Sequence, residues 1–114
     1  MNDFTLERVY KQPTSYDFLG SYFFKPIMIG DIEISIQASK YHYCEPTEDL
    51  ESSDAYQSFE VAMMNSQGFL NPILHDKFKH KSWAQYWSNS DEVGYKVPRS
   101  EIIKMFQDLK AQFN

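Results

Sequence analysis

Asp31-Ile32-Glu33-Ile34-Ser35-Ile36-Gln37-Ala38-Ser39 changes character at every residue, with Ile32, Ile34, Ile36 and Ala38 set against Glu33, Ser35, Gln37 and Ser39. A period of two marks a strand with one face in a core and the other turned outward. Tyr56 to Asn65 repeats the pattern, with Phe59, Val61 and Met63 on one face and Ser58, Glu60 and Ala62 on the other. Residues 40–55 join the two runs. They carry Tyr41-His42-Tyr43-Cys44 and then an acidic segment, Glu45 to Asp54, in which Glu45, Glu48, Asp49, Glu51 and Asp54 stand with no Lys or Arg.

Upstream, Ile27-Met28-Ile29 is a short apolar run and Gly30-Asp31 reads as a turn into the first strand. Phe4 to Tyr10 reads as a short strand or an irregular lead-in, ended by Gln12-Pro13-Thr14-Ser15. Tyr16 to Phe24, with Gly20 inside it, fits either a short helix starting at Ser15 or a tight hairpin. Downstream, Asn65-Ser66-Gln67-Gly68 and Asn71-Pro72 carry turn chemistry. Ile73 to Trp87 mixes signals, because Leu74, Phe78 and Trp87 suit a helix face while Lys77, Lys79 and Lys81 alternate; it is read as partly helical. After a loop at Ser88-Asn89-Ser90-Asp91, Val93, Tyr95 and Val97 alternate as a further strand.

The C-terminal helix has the strongest signal of its kind. Pro98 suits a first helical position, Glu101 suits the positive end of the helix dipole, and Ile102, Phe106, Leu109 and Phe113 fall on one face. The expected fold is α+β: one small domain over residues 1–114, an antiparallel sheet of about four or five strands, and the helix Pro98 to Phe113 packed on one face. That helix should bury Ile102, Phe106 and Leu109 against Ile32, Ile34 and Ile36, since neither stripe is stable in water.

Composition narrows the function. At 114 residues, two separate cores would each fall near the size that requires disulfides or metals, so one core is expected. Nine Phe, eight Tyr and two Trp supply it amply. Eight Tyr also exceed what a small core holds without stranding hydroxyls, so some should stand half exposed at an interface or on ordinary strand faces. A net charge of −5 argues against direct grip on a nucleic-acid backbone. The lone Cys44 excludes an intrachain disulfide and suits a reducing compartment. Asp3, Glu7, Arg8 and Lys11 interrupt the first apolar residues, and no run is long enough for a membrane helix, so the expected location is the cytoplasm with no membrane partner.

Three constellations could carry chemistry. His42 and Cys44, two apart, would share a side of an extended chain and could start a metal site with His75 or His80, or pair as a nucleophile and its neighbour. No Cys-x-x-Cys, no His-Glu-x-x-His and no phosphate-binding glycine loop accompanies them, so neither a cofactor nor catalysis is expected. The acidic segment can present carboxylates to a basic groove. His75 to Lys81 is the compensating basic patch, able with Arg99 to hold an anion.

The residues Ile34-Ser35-Ile36-Gln37-Ala38-Ser39, Tyr41-His42-Tyr43-Cys44-x-Pro46, Tyr56 and Phe59-Glu60-Val61-Ala62 resemble a motif of small phage and prophage proteins. Its closing strand-to-helix junction is approximated by Val93-Gly94-Tyr95-Lys96-Val97-Pro98; where the motif has a basic residue after Pro46, this chain has Thr47. By analogy, the resemblance implies a non-enzymatic inhibitor of bacterial defence, anti-CRISPR-like, that binds a host defence protein or nucleoprotein complex stoichiometrically. Tyr41, Tyr43, Glu48, Asp49, Glu51, Asp54 and Tyr56 are its expected contacts. An alternative is a sponge for a nucleotide second messenger, using Tyr41, Tyr43, Lys79 and Arg99, which a homo-oligomer would favour. A Cys44- or metal-dependent enzyme is the third reading.

Overall fold

The computed structural model describes residues 4, 6–11 and 21–113, and of residues 9–11, 21, 22 and 113 the backbone only. Its elements are β1 (Arg8–Lys11), β2 (Ser21–Phe24), β3 (Ile27–Ile29), β4 (Ile32–Gln37), β5 (Ser58–Asn65), β6 (Gly68–Leu70), β7 (Gly94–Pro98) and α1 (Arg99–Phe113), with 3-10 turns at Ser53–Ala55, Pro72–Leu74 and Ser82–Tyr86.

The two alternating runs pair antiparallel as β4 and β5. Their register places Ile34 beside Met63 and Ile36 beside Val61 on one face, and Ser35 beside Ala62 and Gln37 beside Glu60 on the other. Gly30, at φ +57°, makes the turn from β3 into β4, a backbone region open to glycine at little cost. β5 is the central strand: β6 pairs with its C-terminal half and β7 with its N-terminal half, which completes a five-stranded antiparallel sheet.

The helix covers the face that carries the isoleucines. Ile102, Phe106 and Leu109 are buried in one cluster with Ile32, Ile34, Ile36, Phe59, Val61 and Met63, as expected. Met105 joins them, filling the remaining position of the same stripe. Pro98 ends β7 rather than opening the helix, which starts at Arg99. The side chain of Phe113 lies outside the described residues.

Beside the main sheet stands a two-stranded ribbon, β1 with β2. It bears out the strand reading of the lead-in; of the Tyr16 to Phe24 stretch, read as a short helix or a tight hairpin, Ser21–Phe24 is strand, and residues 16–20 lie outside the described residues. Gln37 ties the ribbon to β4 by presenting its side-chain amide as a strand would: Phe24 N–H donates to Oε1 at 2.7 Å and Nε2 donates to Phe24 O at 2.8 Å. Arg8 lies over the fully buried Phe24 ring at 3.9 Å, which spreads its charge on a π face.

Residues 73–87 are helical only as separate 3-10 turns. Asn71 caps the first by accepting Ile73 N–H at 3.1 Å. Phe78, Trp83 and Trp87 reach the core, but Leu74 is 63% exposed, so the expected single helical face is not formed. The alternating lysines form no strand, and two of the three pair with nearby carboxylates: Lys79 with Asp76 at 3.3 Å and Lys81 with Asp108 at 3.5 Å. Trp83 Nε1 also donates to Asp108, at 2.8 Å.

Candidate functional site

The acidic connection has exposed side chains and a firmly held backbone. Tyr56 is 2% exposed, and its hydroxyl accepts from Leu50 N at 2.7 Å and Arg8 Nη2 at 2.9 Å while donating to Glu48 O. Leu6 N donates to Ser53 Oγ at 2.9 Å, and the Arg99 guanidinium donates to the carbonyls of Phe4, Ser53 and Tyr56. Arg99 also lies over the rings of Phe4 and Phe59, at 4.6 and 5.2 Å. Two expected site residues are thereby corrected. Tyr56 is an internal anchor for the loop, not a surface ring, and Arg99 is committed to buried carbonyls instead of a phosphate.

Glu48, Glu51 and Asp54 do face outward, Asp54 at 3.9 Å from Arg99. Asp49 accepts Lys40 N–H at 3.1 Å and lies 3.9 Å from its ammonium. Glu45 pairs with Ser58, its carbonyl accepting Gln57 N–H at 2.8 Å, so the acidic segment starts as an extension of the sheet.

Tyr41, Tyr43 and Tyr95 are exposed, at 64%, 56% and 40%, and Tyr43 with Tyr95 makes an outward aromatic pair. A bulge in β7 creates it. Val97 pairs with Phe59 and Gly94 with Val61, so Tyr95 and Lys96 together oppose the single residue Glu60. Strict alternation would have put Tyr95 with Val97; the bulge turns Val97 into the core and Tyr95 onto the outer face. There Tyr95 lies against Tyr43 with ring centroids 4.4 Å apart and the rings tilted by 40°. Lys96 takes φ +52°, a region L residues rarely adopt, and its amide donates to Tyr43 O at 3.1 Å. A strained residue held in place by its surroundings is a recurrent feature of binding sites.

The same outer face holds a concavity of about 260 Å³. Its floor follows from the register: Ser35 and Gln37 from β4, Glu60, Ala62 and Met64 from β5, and Phe69 from β6 paired with Met64. His42 and Val93 wall it. Partial burial pushes the Glu60 carboxyl above its usual range, opposed by a hydrogen bond from the Tyr43 amide. Burial and then Arg8 hold His42 below its usual value, against Asp49, so its ring is neutral at neutral pH.

Cys44 and His42 do not form the pair that an extended chain would give. The chain turns here, with Cys44 N donating to His42 O at 3.0 Å. Cys44 is buried with its thiol near the carbonyls of Ser39 (3.2 Å) and Pro46 (3.3 Å), and burial raises its pKa, the reverse of thiolate activation. Ser39 Oγ, 2.6 Å from His42 Nδ1, fixes the imidazole. Among the described residues no group of three or more His, Cys, Asp and Glu is placed to share a metal ion, and no helix is long and apolar enough to cross a membrane.

A second concavity, bordered by Glu45, Glu48, Gln57 and Lys96, runs beside the acidic segment. Neither concavity is lined by Tyr41, Tyr43, Lys79 or Arg99, so the four residues expected to hold a nucleotide are not gathered in either. Glu60, Phe69 and Val93, which line the concavity, and Tyr95, which meets Tyr43, are candidate site residues that the sequence showed only as parts of strands and turns. The outward phase of Glu60 and Met64 was legible; that Phe69 and Val93 would wall them was not. No protein family, curated protein or solved structure matches the chain.

Proposed function

We propose that this chain is a non-enzymatic, phage-type inhibitor of bacterial defence, anti-CRISPR-like in that it docks stoichiometrically on a host defence protein or nucleoprotein complex in the cytoplasm. The observation that carries the docking face is the Tyr43–Tyr95 contact, tilted rings 4.4 Å apart between centroids and open to solvent, held by a bulge whose Lys96 is strained. Exposed tyrosines supply contact area at small entropic cost and rank among the side chains most enriched at interface centres. The outward carboxylates of Glu48, Glu51 and Asp54 and the net charge of −5 favour a basic partner surface and speed encounter with it. The choice of a defence complex rests on the resemblance to phage proteins.

A plating assay tests this reading. Expression of the chain in a host carrying an active defence system should restore phage plaques, and Tyr43→Ala with Tyr95→Ala should abolish the effect while the protein keeps its melting temperature. Failure to restore plaques against any of a panel of defence systems, or full activity of the folded double variant, sinks the proposal.

A further inference from the structure

The concavity beside the tyrosine pair is lined by one carboxylate, Glu60, and by no Lys or Arg among the described residues. Gln37, directly across the strands, cannot serve Glu60, because its Nε2 is engaged by Phe24 O at 2.8 Å and Ser35 Oγ at 3.0 Å. No ion pair joins Glu60 to a cation among the described residues. The two oxygens of the carboxylate have acceptor positions to offer. Ser35, Gln37 and His42 are the other polar groups of the lining, and its remainder is apolar: Ala62, Met64, Val93 and the ring of Phe69, which is 51% exposed.

A part-buried carboxylate flanked by aliphatic groups and an aromatic face is complementary to a planar cation on an aliphatic stem. The geometry points to this concavity as the receptacle for an arginine side chain presented by the protein partner. The methylenes lie along Met64 and Val93, the guanidinium stacks on Phe69, and its N–H groups donate to Glu60. Arginine fits better than lysine because its guanidinium is planar, weakly hydrated and bidentate toward carboxylates. Phosphate-bearing ligands find no cation here, and a single carboxylate makes no metal site. At about 260 Å³ the space falls just below the roughly 300–1,000 Å³ usual for small-molecule pockets and suits one side chain. Its continuity with the tyrosine pair joins it to the docking surface, since Tyr95 stands opposite Glu60 across β5 and β7 and lies against Tyr43.

This inference rests on the docking proposal, and its test is separable from it. N-acetyl-arginine methylamide is titrated into the isotope-labelled protein and followed by amide chemical shifts, beside the capped citrulline, which has the same shape and no charge. Capped arginine should give saturable shifts centred on Glu60, Phe69 and Val93, and citrulline none. Glu60→Gln, with an unreduced melting temperature, should weaken binding by about tenfold or more, the scale of one lost charge-assisted contact. Equal shifts from citrulline, shifts mapping elsewhere, or unchanged affinity in Glu60→Gln overturn the inference. If capped arginine fails while the wild-type chain still restores plaques, the pocket assignment falls and the docking reading stands. Saturable, Glu60-dependent binding by a chain that restores no plaques supports the pocket and removes the docking reading.

Discussion

Tyr56→Phe separates an internal anchor from a partner contact. The substitution removes one oxygen and leaves the ring, so the packing against Phe24 and Phe59, at centroid distances of 6.3 and 5.9 Å, is retained. The hydroxyl serves three groups. Arg8 keeps other acceptors in the carbonyls of Leu50 and Ala38, the latter at 2.9 Å, and the Glu48 carbonyl, on an exposed residue, can turn to water. Leu50 N–H, on a half-buried residue, loses the acceptor it now has at 2.7 Å. One orphaned amide at roughly 1–3 kcal/mol plus the weakened charge-assisted bond gives a loss of about 2–4 kcal/mol, a large share of the 5–15 kcal/mol of an ordinary domain. Urea denaturation measures the loss, and hydrogen exchange at the Leu50 amide should accelerate in step. A Tyr56→Phe protein within about 0.5 kcal/mol of wild type, the range of ordinary surface changes, would refute the anchoring argument.

Phe106→Ala should cost about 3–5 kcal/mol in the same assay, because the ring is 1% exposed and meets Phe4 edge to face at 5.7 Å, whereas Glu48→Gln should stay within about 0.5 kcal/mol. Gly94→Ala should destabilise by about 1–3 kcal/mol, since a Cβ there would sit 2.8 Å from Cζ3 of the buried Trp87; a melting temperature equal to wild type would mean that the indole yields freely. Glu60 titrates higher in the fold than in the unfolded chain, so between those two values the native state keeps a proton that the unfolded chain has lost, and stability falls as pH rises through that window. Glu60→Gln should therefore melt higher than wild type at neutral pH and lose that advantage well below the ordinary carboxylate value of 4.5; an advantage that grows on acidification would contradict the sign.

The local alternation of β4 and β5 and the spacing of Ile102, Phe106 and Leu109 were enough to place the core face, the helix and the α+β architecture. Such periods reflect only which neighbours share a side of one element, and a side that is apolar throughout has one stable destination. The same alternation misled at β7, where a bulge of one residue reversed the phase between Gly94 and Val97 and sent Tyr95 outward. A bulge depends on what the opposing strand requires, here Glu60 and its neighbours, and leaves no local signature in Val93 to Pro98. The roles of Tyr56 and Arg99 were equally out of reach: their polar atoms are bound by groups such as Arg8 and Phe4, 48 and 95 positions away in the chain. A tyrosine or arginine reads alike whether its polar end meets water, a partner or a distant carbonyl. The sequence alone therefore determined what had to be buried, and the tertiary structure decided which polar groups the fold uses internally and which, Tyr43, Tyr95 and Glu60 foremost, it leaves wholly or partly open to solvent.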